Sequence, residues 1–347
     1  MELSLFYFAN EAGVGEGEGI YRLLLDGARF ADRHGFTAVW TPERHFHPFG
    51  GIYPNPSVAA AALSTITENV HLRAGSVVAP LHDPVRIAEE WAVVDNLSGG
   101  RVGISVAPGW HHGDFVLAPD RFAERKAAVL SAVETVQALW RGEEITRVDG
   151  LGEAAPVRLH PRPVRPELPT WITTSGNPET FELAGKLGAS VLTHVTGQGR
   201  EKLRGKIARY REVLAANHPE RAGHVTLMLH TFLGRDLESV RAQVWEPLVR
   251  YLRSSLDLRL GTPSKRDRVK DPEALGEREI ALLLSRAADR YLRTSGLFGP
   301  PEHCVGVAEE FAAMGVDEIA CLIDFGPGVD ATLASLELLA DLPRHWR

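Results

Sequence analysis

The sequence predicts an α/β protein, a (β/α)8 TIM barrel with inserted loops, and three observations carry that prediction. Short apolar runs rich in β-branched residues alternate with longer stretches of helical period, the order expected of parallel strands joined by crossover helices. Eight such runs occur, more than an open doubly wound sheet usually holds. At 347 residues the chain has the length of one barrel domain carrying insertions, not that of a minimal core.

The expected strands are Leu3 to Phe8, Thr37 to Thr41, Leu72 to Val78, Val102 to Ala107, Pro169 to Thr174, Ser190 to His194, Val225 to Gly234 and Asp317 to Ile323. Between the first two, Tyr21 to His34 repeats apolar residues at Leu24, Ala28 and Ala31, and the next helix starts near Pro56. The third helix is the best delimited: Asp83 caps its free amides, Pro84 suits the first helical position, and Ser98-Gly99-Gly100 stops it. Two segments break the rhythm. The stretch 142–169 is rich in Gly and Pro and reads as a surface excursion with a short hairpin. The stretch 258–279 is polar, with Lys265, Arg266, Asp267, Arg268, Lys270 and Asp271, and reads either as a solvated linker or as a mobile lid over the active end of the barrel. The Gly/Glu stretch 11–19 after the first strand is the one low-complexity segment.

Composition narrows the function classes. Hydrophobic residues make up 44% and charged residues 24%, which argues for an ordinary globular protein. The net charge of -7 supplies no basic stripe for a nucleic acid backbone. No apolar run approaches the roughly 20 residues that cross a bilayer, and the first residues lack the order of a signal peptide, so a cytoplasmic location with no membrane partner is expected. Cys304 and Cys321 form no metal-type or redox-type pair and read as packing residues.

In a (β/α)8 barrel the active site lies at the carboxyl ends of the strands, so polar residues just after each strand carry the most weight. Histidines hold several such positions: His45 and His47 after strand two, His82 after strand three, His111 and His112 after strand four, His194 at the end of strand six and His230 within strand seven. His45-Phe46-His47 resembles the paired histidines of metal-dependent amidohydrolases. Those follow the first strand and are joined by a lysine after strand four that is missing here, so no metal is assigned. The loop Thr41-Pro42-Glu43-Arg44-His45-Phe46-His47 combines titratable groups with the apolar Phe49 and the flexible Gly50-Gly51, which marks it as the centre of the chemistry.

The second informative segment is Thr173-Thr174-Ser175-Gly176-Asn177-Pro178-Glu179-Thr180. Small hydroxyl residues end the strand, Asn177 caps the helix, and free amides point outward, an arrangement that accepts a phosphate or is simply a well-capped turn. Gly197-Gln198-Gly199 gives a second place where backbone approaches a ligand closely. Strand three ends in small residues, Gly75 and Ser76, at a rim where a flat ring could lie. Strand four runs into Trp110 and His111, an aromatic and an imidazole at a pocket border or in ordinary packing, and Phe8 ends strand one.

With these residues assembled, the chain resembles the bacterial luciferase-like, flavin-dependent monooxygenase family over nearly its whole length. The segments that carry the likeness are Gly35-Phe36-Thr37-Ala38-Val39-Trp40, Glu43-Arg44-His45-Phe46, Phe49-Gly50-Gly51 with Asn55-Pro56, Pro80-Leu81-His82-Asp83-Pro84-Val85-Arg86, Asp95-Asn96-Leu97-Ser98-Gly99-Gly100-Arg101, and Ser175 to Thr180. Trp40 to His47 and Leu227 to Phe232 point to the natural-product-biosynthesis branch. The resemblance implies a barrel that takes reduced FMN from a separate flavin reductase, reacts it with O2, and uses the flavin C4a-peroxide to oxygenate a small or carrier-bound substrate. It also implies a homodimer.

Carried over residue by residue, His45 matches one of a histidine pair and Arg44 stands where the other is expected, with His47 as a further proton carrier. Arginine cannot exchange a proton near neutral pH, so if the missing histidine is the general base its duty passes to His45 or His47 or is dispensed with, and His45 is the leading expectation as peroxide donor or proton shuttle. Gly75 and Ser76 match a bulged, non-prolyl cis dipeptide beside the flavin ring, and Ala107 matches a residue flanking that ring. Gly176, Asn177 and Thr180 correspond to the phosphate site, and Ser175, Gly197 and Gln198 are placed with them among the cofactor-binding residues. An arginine of that site falls on Pro108. Phe8, Trp110 and His111 are assigned to the substrate side. A deazaflavin-dependent dehydrogenase on the same barrel, and a flavin-binding protein without turnover, are the competing expectations.

Overall fold

Near-continuous burial along the ring strands decides the architecture, since a parallel sheet covered on both faces leaves neither side to solvent. The computed structural model describes residues 1–8, 19–195, 198–260 and 276–345, so Gly197, most of the Gly/Glu stretch and the middle of the expected lid lie outside the described residues. The first half of the chain runs β1 (Glu2–Phe6), α1 (Arg22–Arg33), β2 (Ala38–Thr41), α2 (Pro56–Ser64), β3 (His71–Val78), α3 (Pro84–Ser98), β4 (Val102–Ala107) and α4 (Arg125–Arg141). A hairpin follows, β5 (Ile145–Val148) with β6 (Ala154–Val157), then β7 (Thr170–Thr174), α5 (Pro178–Lys186), β8 (Ser190–His194) and α6 (Arg200–Asn217). The last part is β9 (Val225–Leu233), α7 (Leu237–Leu260), α8 (Glu277–Arg290), β10 (Leu297–Gly299), α9 (Pro301–Ala312), β11 (Glu318–Leu322) and α10 (Val329–Asp341).

Strands β1, β2, β3, β4, β7, β8, β9 and β11 pair in parallel in that order, and the β11 to β1 ladder closes the ring. Odd and even residues therefore part company. Leu5, Val39, Leu72, Ile104, Val191 and Leu227 face the surrounding helices, whereas Phe6, Trp40, Trp171, Leu192, Phe232 and Ala320 fill the lumen. Cys304 and Cys321 sit buried and free in the outer shell, and burial pushes both thiols well above their usual range.

Local signals act as expected at the helix ends. Asn55, Asp83 and Asn177 accept backbone amides with their side chains ahead of Pro56, Pro84 and Pro178, and Gly99 ends α3 with φ 67°. Three features differ from expectation. The first ladder ends at Phe6, because Phe8 turns out of it and donates its amide to the Asp324 carboxylate at 2.9 and 3.0 Å. The short β10 pairs with β9 outside the ring and is too brief for an alternating signal. The stretch expected to be a loop from Leu258 begins inside α7 and ends inside α8. Among the described residues no helix is long and apolar enough to cross a membrane.

The floor of the lumen is ionic. Glu318 is fully buried and accepts hydrogen bonds from Arg73 at 2.7 Å, His224 at 3.0 Å, Trp40 at 3.0 Å and Ser4. The Arg73 guanidinium lies 5.0 and 4.6 Å from the ring centres of Trp40 and Trp171. Burial alone would raise the Glu318 carboxyl, but the charge of Arg73 and the bond from His224 outweigh it and hold it far below the carboxylate range. Among the described residues the metal-like group Glu2, His224 and Glu318 lies here, where Arg73 already neutralises the acid.

Candidate active site

At the opposite rim, the extended segment after β2 sends alternate side chains to two sides. Glu43 lies fully buried on one of them. Its Oε2 accepts the Val78 amide at 2.7 Å, and its Oε1 accepts His82 Nε2 at 2.6 Å and His45 Nε2 at 2.9 Å. One carboxylate thus clamps the loops after β2 and β3. Burial opposes its charge, but the bonds from His45 and His82 win and hold Glu43 below its ordinary value. For His82, burial lowers the imidazole and the Glu43 bond and charge more than reverse it, so the net shift is upward.

The sign follows from linkage. A depressed carboxyl contributes stability above its unfolded value of 4.5 and loses it as pH falls through the folded value. A raised imidazole contributes fully below 6.5 and loses it as pH rises through the folded value. Replacing Glu43→Gln is therefore expected to lower stability by about 1–3 kcal/mol between those two pH values. Thermal unfolding of both proteins across pH should show the gap narrowing above neutrality, and a gap independent of pH would dismiss the clamp.

Arg44 lies on the other side. Its amide donates to Tyr53 O at 3.0 Å, Nη1 donates to Asp114 Oδ2 at 3.2 Å, and its guanidinium carbon is 5.0 Å from the Trp110 ring centre. Both charged side chains are more than nine-tenths buried. Burial pulls the guanidinium below its usual value against the opposing charge of Asp114. Phe46 adopts φ 54° and is exposed, while His47 turns back so that its Nδ1 accepts the Phe49 amide at 3.1 Å. Gly50 takes φ 82° under the Phe8 carbonyl, where a Cβ would come within 2.6 Å, so the loop packs there only as glycine.

Beside this loop the Gly75–Ser76 peptide is cis, and the β3 to β4 register shifts between Gly75 and Val77. The bulge brings the Ser76 hydroxyl against Thr173, which also meets Ser105, so three hydroxyls line up across β3, β7 and β4 near Ala107. A Cβ on Gly75 would press into the Phe6 ring at 2.6 Å.

At the start of α5, Asn177 Oδ1 accepts the Glu179 amide at 3.2 Å, Gly176 takes φ 106°, Ser175 is exposed and Thr180 is half-buried. Lys206 joins them from α6: its Nζ donates to Gly176 O at 2.6 Å and to Gln198 Oε1 at 2.8 Å, and Gln198 is anchored on His194 O. Lys206 was not legible in the sequence, because no local motif marks one lysine on a helix that carries several other cations. Only the packing of α6 against α5 puts it there.

The remaining wall is aromatic. Phe8 and Phe49 stand 5.8 Å apart, Phe49 and Tyr251 5.1 Å, and Tyr251 and His230 4.8 Å between ring centres, with Trp110 and Phe8 packed on the lumen cluster. His111 stacks edge-on to Trp110 at 5.5 Å, its Nδ1 3.8 Å from Asp114 Oδ1, and burial lowers its imidazole. The structure thus brings Arg44, Trp110, His111 and Phe8 to one wall and Gly75, Ser76 and Ala107 to the neighbouring one. His45 Nε2 is engaged by Glu43. Tyr251 from α7 is an addition that no motif announced.

The profile described as luciferase-like monooxygenase matches residues 1–318. The chain belongs to the luciferase-like monooxygenase family. Among the relatives of this luciferase-like monooxygenase, the oxygenase component of the flavin-dependent trigonelline monooxygenase of Acinetobacter baylyi is 25% identical over 92% of this chain and 87% of its own. The 4-hydroxyprotoasukamycin monooxygenase of Streptomyces nodosus subsp. asukaensis is 29% identical over 49% of this chain and 46% of its own.

Among solved structures, the monooxygenase RslO1 of Streptomyces bottropensis superposes with a TM-score of 0.81 at 22% identity over 99% of this chain and all of its own. The oxygenating constituent of 3,6-diketocamphane monooxygenase of Pseudomonas putida, in complex with FMN, gives 0.74 at 16% identity over 98% of this chain and 96% of its own. An F420-dependent secondary alcohol dehydrogenase gives 0.69 at 18% identity over 98% of each chain. These structural likenesses carry the barrel fold. Family membership makes the protein an enzyme, a flavin-dependent monooxygenase.

Proposed function

We propose that this luciferase-like monooxygenase takes reduced FMN from a separate reductase and, with O2, puts one oxygen atom into a small or carrier-bound metabolite of natural-product biosynthesis. The observation that carries a phosphate-bearing flavin is the polar cradle of Ser175, Gly176, Asn177 and Thr180 at the α5 terminus, with the Lys206 cation bonded into it. A lysine beside the Ser175 and Thr180 hydroxyls at the positive end of a helix fits a phosphate group. The FMN complex of the diketocamphane enzyme supports the same cofactor, the trigonelline oxygenase component supports a reductase partner, and the asukamycin relative supports the pathway class.

When bound, reduced flavin supplies the two electrons with which one atom of O2 enters the substrate and the other leaves as water. The chain's own residues do the rest. Ser76, Ser105 and Thr173 offer hydroxyls to a flat polar ring beside Ala107, and Lys206 with the Ser175 and Thr180 hydroxyls orients the phosphate end. Phe8, Phe49, Trp110 and Tyr251 keep water out. Arg44 stands in the wall as a permanent donor held by Asp114. His45 serves through Glu43, fixing the loop that presents Arg44, and His47 closes the turn that follows.

The reading is tested by offering the purified protein reduced FMN with labelled O2 and, separately, the F420 cofactor with an alcohol. Incorporation of label into product supports it; hydride transfer to F420 without oxygen uptake from reduced FMN overturns it in favour of a dehydrogenase. The phosphate assignment makes a finer prediction. Lys206→Gln should weaken FMN binding roughly tenfold, the scale of one charge-assisted hydrogen bond, and leave riboflavin binding unchanged. Equal losses for both flavins would remove Lys206 from the site.

A further inference from the structure

Met228, His230 and Phe232 share the lumen face of β9, with His194 of β8 opposite Met228 in the ladder. His230 is 3% exposed, and the rings of Tyr251, Tyr291 and Phe325 stand edge-on to it at 4.8, 4.8 and 5.7 Å. Its Nε2 is buried without a hydrogen-bond partner among the described residues. A nitrogen left unmatched inside an aromatic wall costs about as much as a lost hydrogen bond, so a ligand group that completes the bond there gains by binding.

Burial, and then the neighbouring His194, push the imidazole down to about 3, which keeps it neutral at ordinary pH. A neutral imidazole offers one N–H and one lone pair and no charge. Arg44, which stands in the aromatic wall, is already paired with Asp114.

Resting on the oxygenase reading above, we infer that His230 is a specificity-determining contact, and that the substrate is an uncharged, flat ring system whose hydroxyl or carbonyl oxygen completes the bond that His230 Nε2 lacks. Tyr251, Tyr291, Phe49 and Trp110 supply ring faces and edges for such a molecule. Among the described residues an anionic substrate finds no unpaired cation beside His230, and a purely apolar one leaves the imidazole unmatched. Discrimination of this kind comes from the polar group left without a partner when the wrong ligand binds.

Calorimetric titration of 2-naphthol, 2-methylnaphthalene and 2-naphthoate into the wild type, His230→Phe and His230→Gln tests this. The wild type should prefer 2-naphthol to each of the other probes by roughly tenfold. His230→Phe should abolish the preference over 2-methylnaphthalene while binding that probe as well as the wild type does, and His230→Gln should keep part of the preference. If His230→Phe fails to fold, the smaller His230→Leu makes the same comparison. The inference is overturned by an unchanged preference in these variants, by a wild type that favours 2-naphthoate, or by a wild type that binds none of the three. FMN titration of the same proteins separates the two claims. Normal FMN binding without a naphthol preference sinks His230 alone, whereas a wild type that binds no flavin sinks the oxygenase reading and with it the naming of this wall as a substrate site.

Discussion

Replacing Arg44→Met is expected to destabilise the protein by about 3–5 kcal/mol, because it leaves the Asp114 carboxylate buried without its cation. The side chains are of similar length, so the loss is electrostatic and not a matter of volume. The double variant Arg44→Met with Asp114→Leu removes both charges from the same space and should recover most of the loss. Urea unfolding of the two single variants and the double variant measures this. A single variant as stable as the wild type, or a double variant no better than either single one, rejects the pair as a structural element. Trp110 lies against the guanidinium at 5.0 Å, so the double variant, though stable, should still release more of its oxidised flavin without oxygenated product than the wild type.

The largest effect expected away from the active rim is at the lumen floor. Glu318→Gln keeps the shape of the side chain but removes the charge that Arg73 and His224 face, and an unfolding free energy lower by about 3–5 kcal/mol is expected. The pH dependence has a definite sign. The folded Glu318 carboxyl lies far below its unfolded value of 4.5, so its stabilisation is present above that pH and is lost only as pH falls through the depressed value. Wild type and Glu318→Gln should therefore converge under strongly acid conditions and differ most near neutrality, in equilibrium unfolding followed across pH. Flavin affinity should change by less than about twofold in the folded fraction, since site and floor occupy opposite ends of the barrel. A variant equal in stability to the wild type at pH 7 shows that the floor ionic cluster contributes nothing.

Much of the fold was legible because local rules and the tertiary packing agree. The eight ring strands coincide with eight apolar runs, and Asn55-Pro56, Asp83-Pro84 and Asn177-Pro178 start helices through side-chain caps that need no distant partner. The hairpin in 142–169 and the stop at Gly99 are local in the same sense. The rim proposed for the site was legible too, because a barrel's strand order puts the loops after β2, β3, β4 and β7 at one end.

What each side chain does there was not legible. His45 and Arg44 are neighbours in sequence, and alternation sends one to Glu43 and the other to Asp114, which lies 70 residues further on. The partners of Glu43, the insertion of Lys206 beside Gly176 and the unmatched nitrogen of His230 depend on contacts between elements far apart in the chain. By itself the sequence determined the barrel and the capped starts of α2, α3 and α5, since period, caps and turns act within a few residues, and it pointed to the loop after β2 as the proposed centre of the chemistry. Only the tertiary structure decided that Arg44 faces the aromatic wall while His45 is held by Glu43, because that choice rests on which buried charge finds a partner when the ring of strands closes.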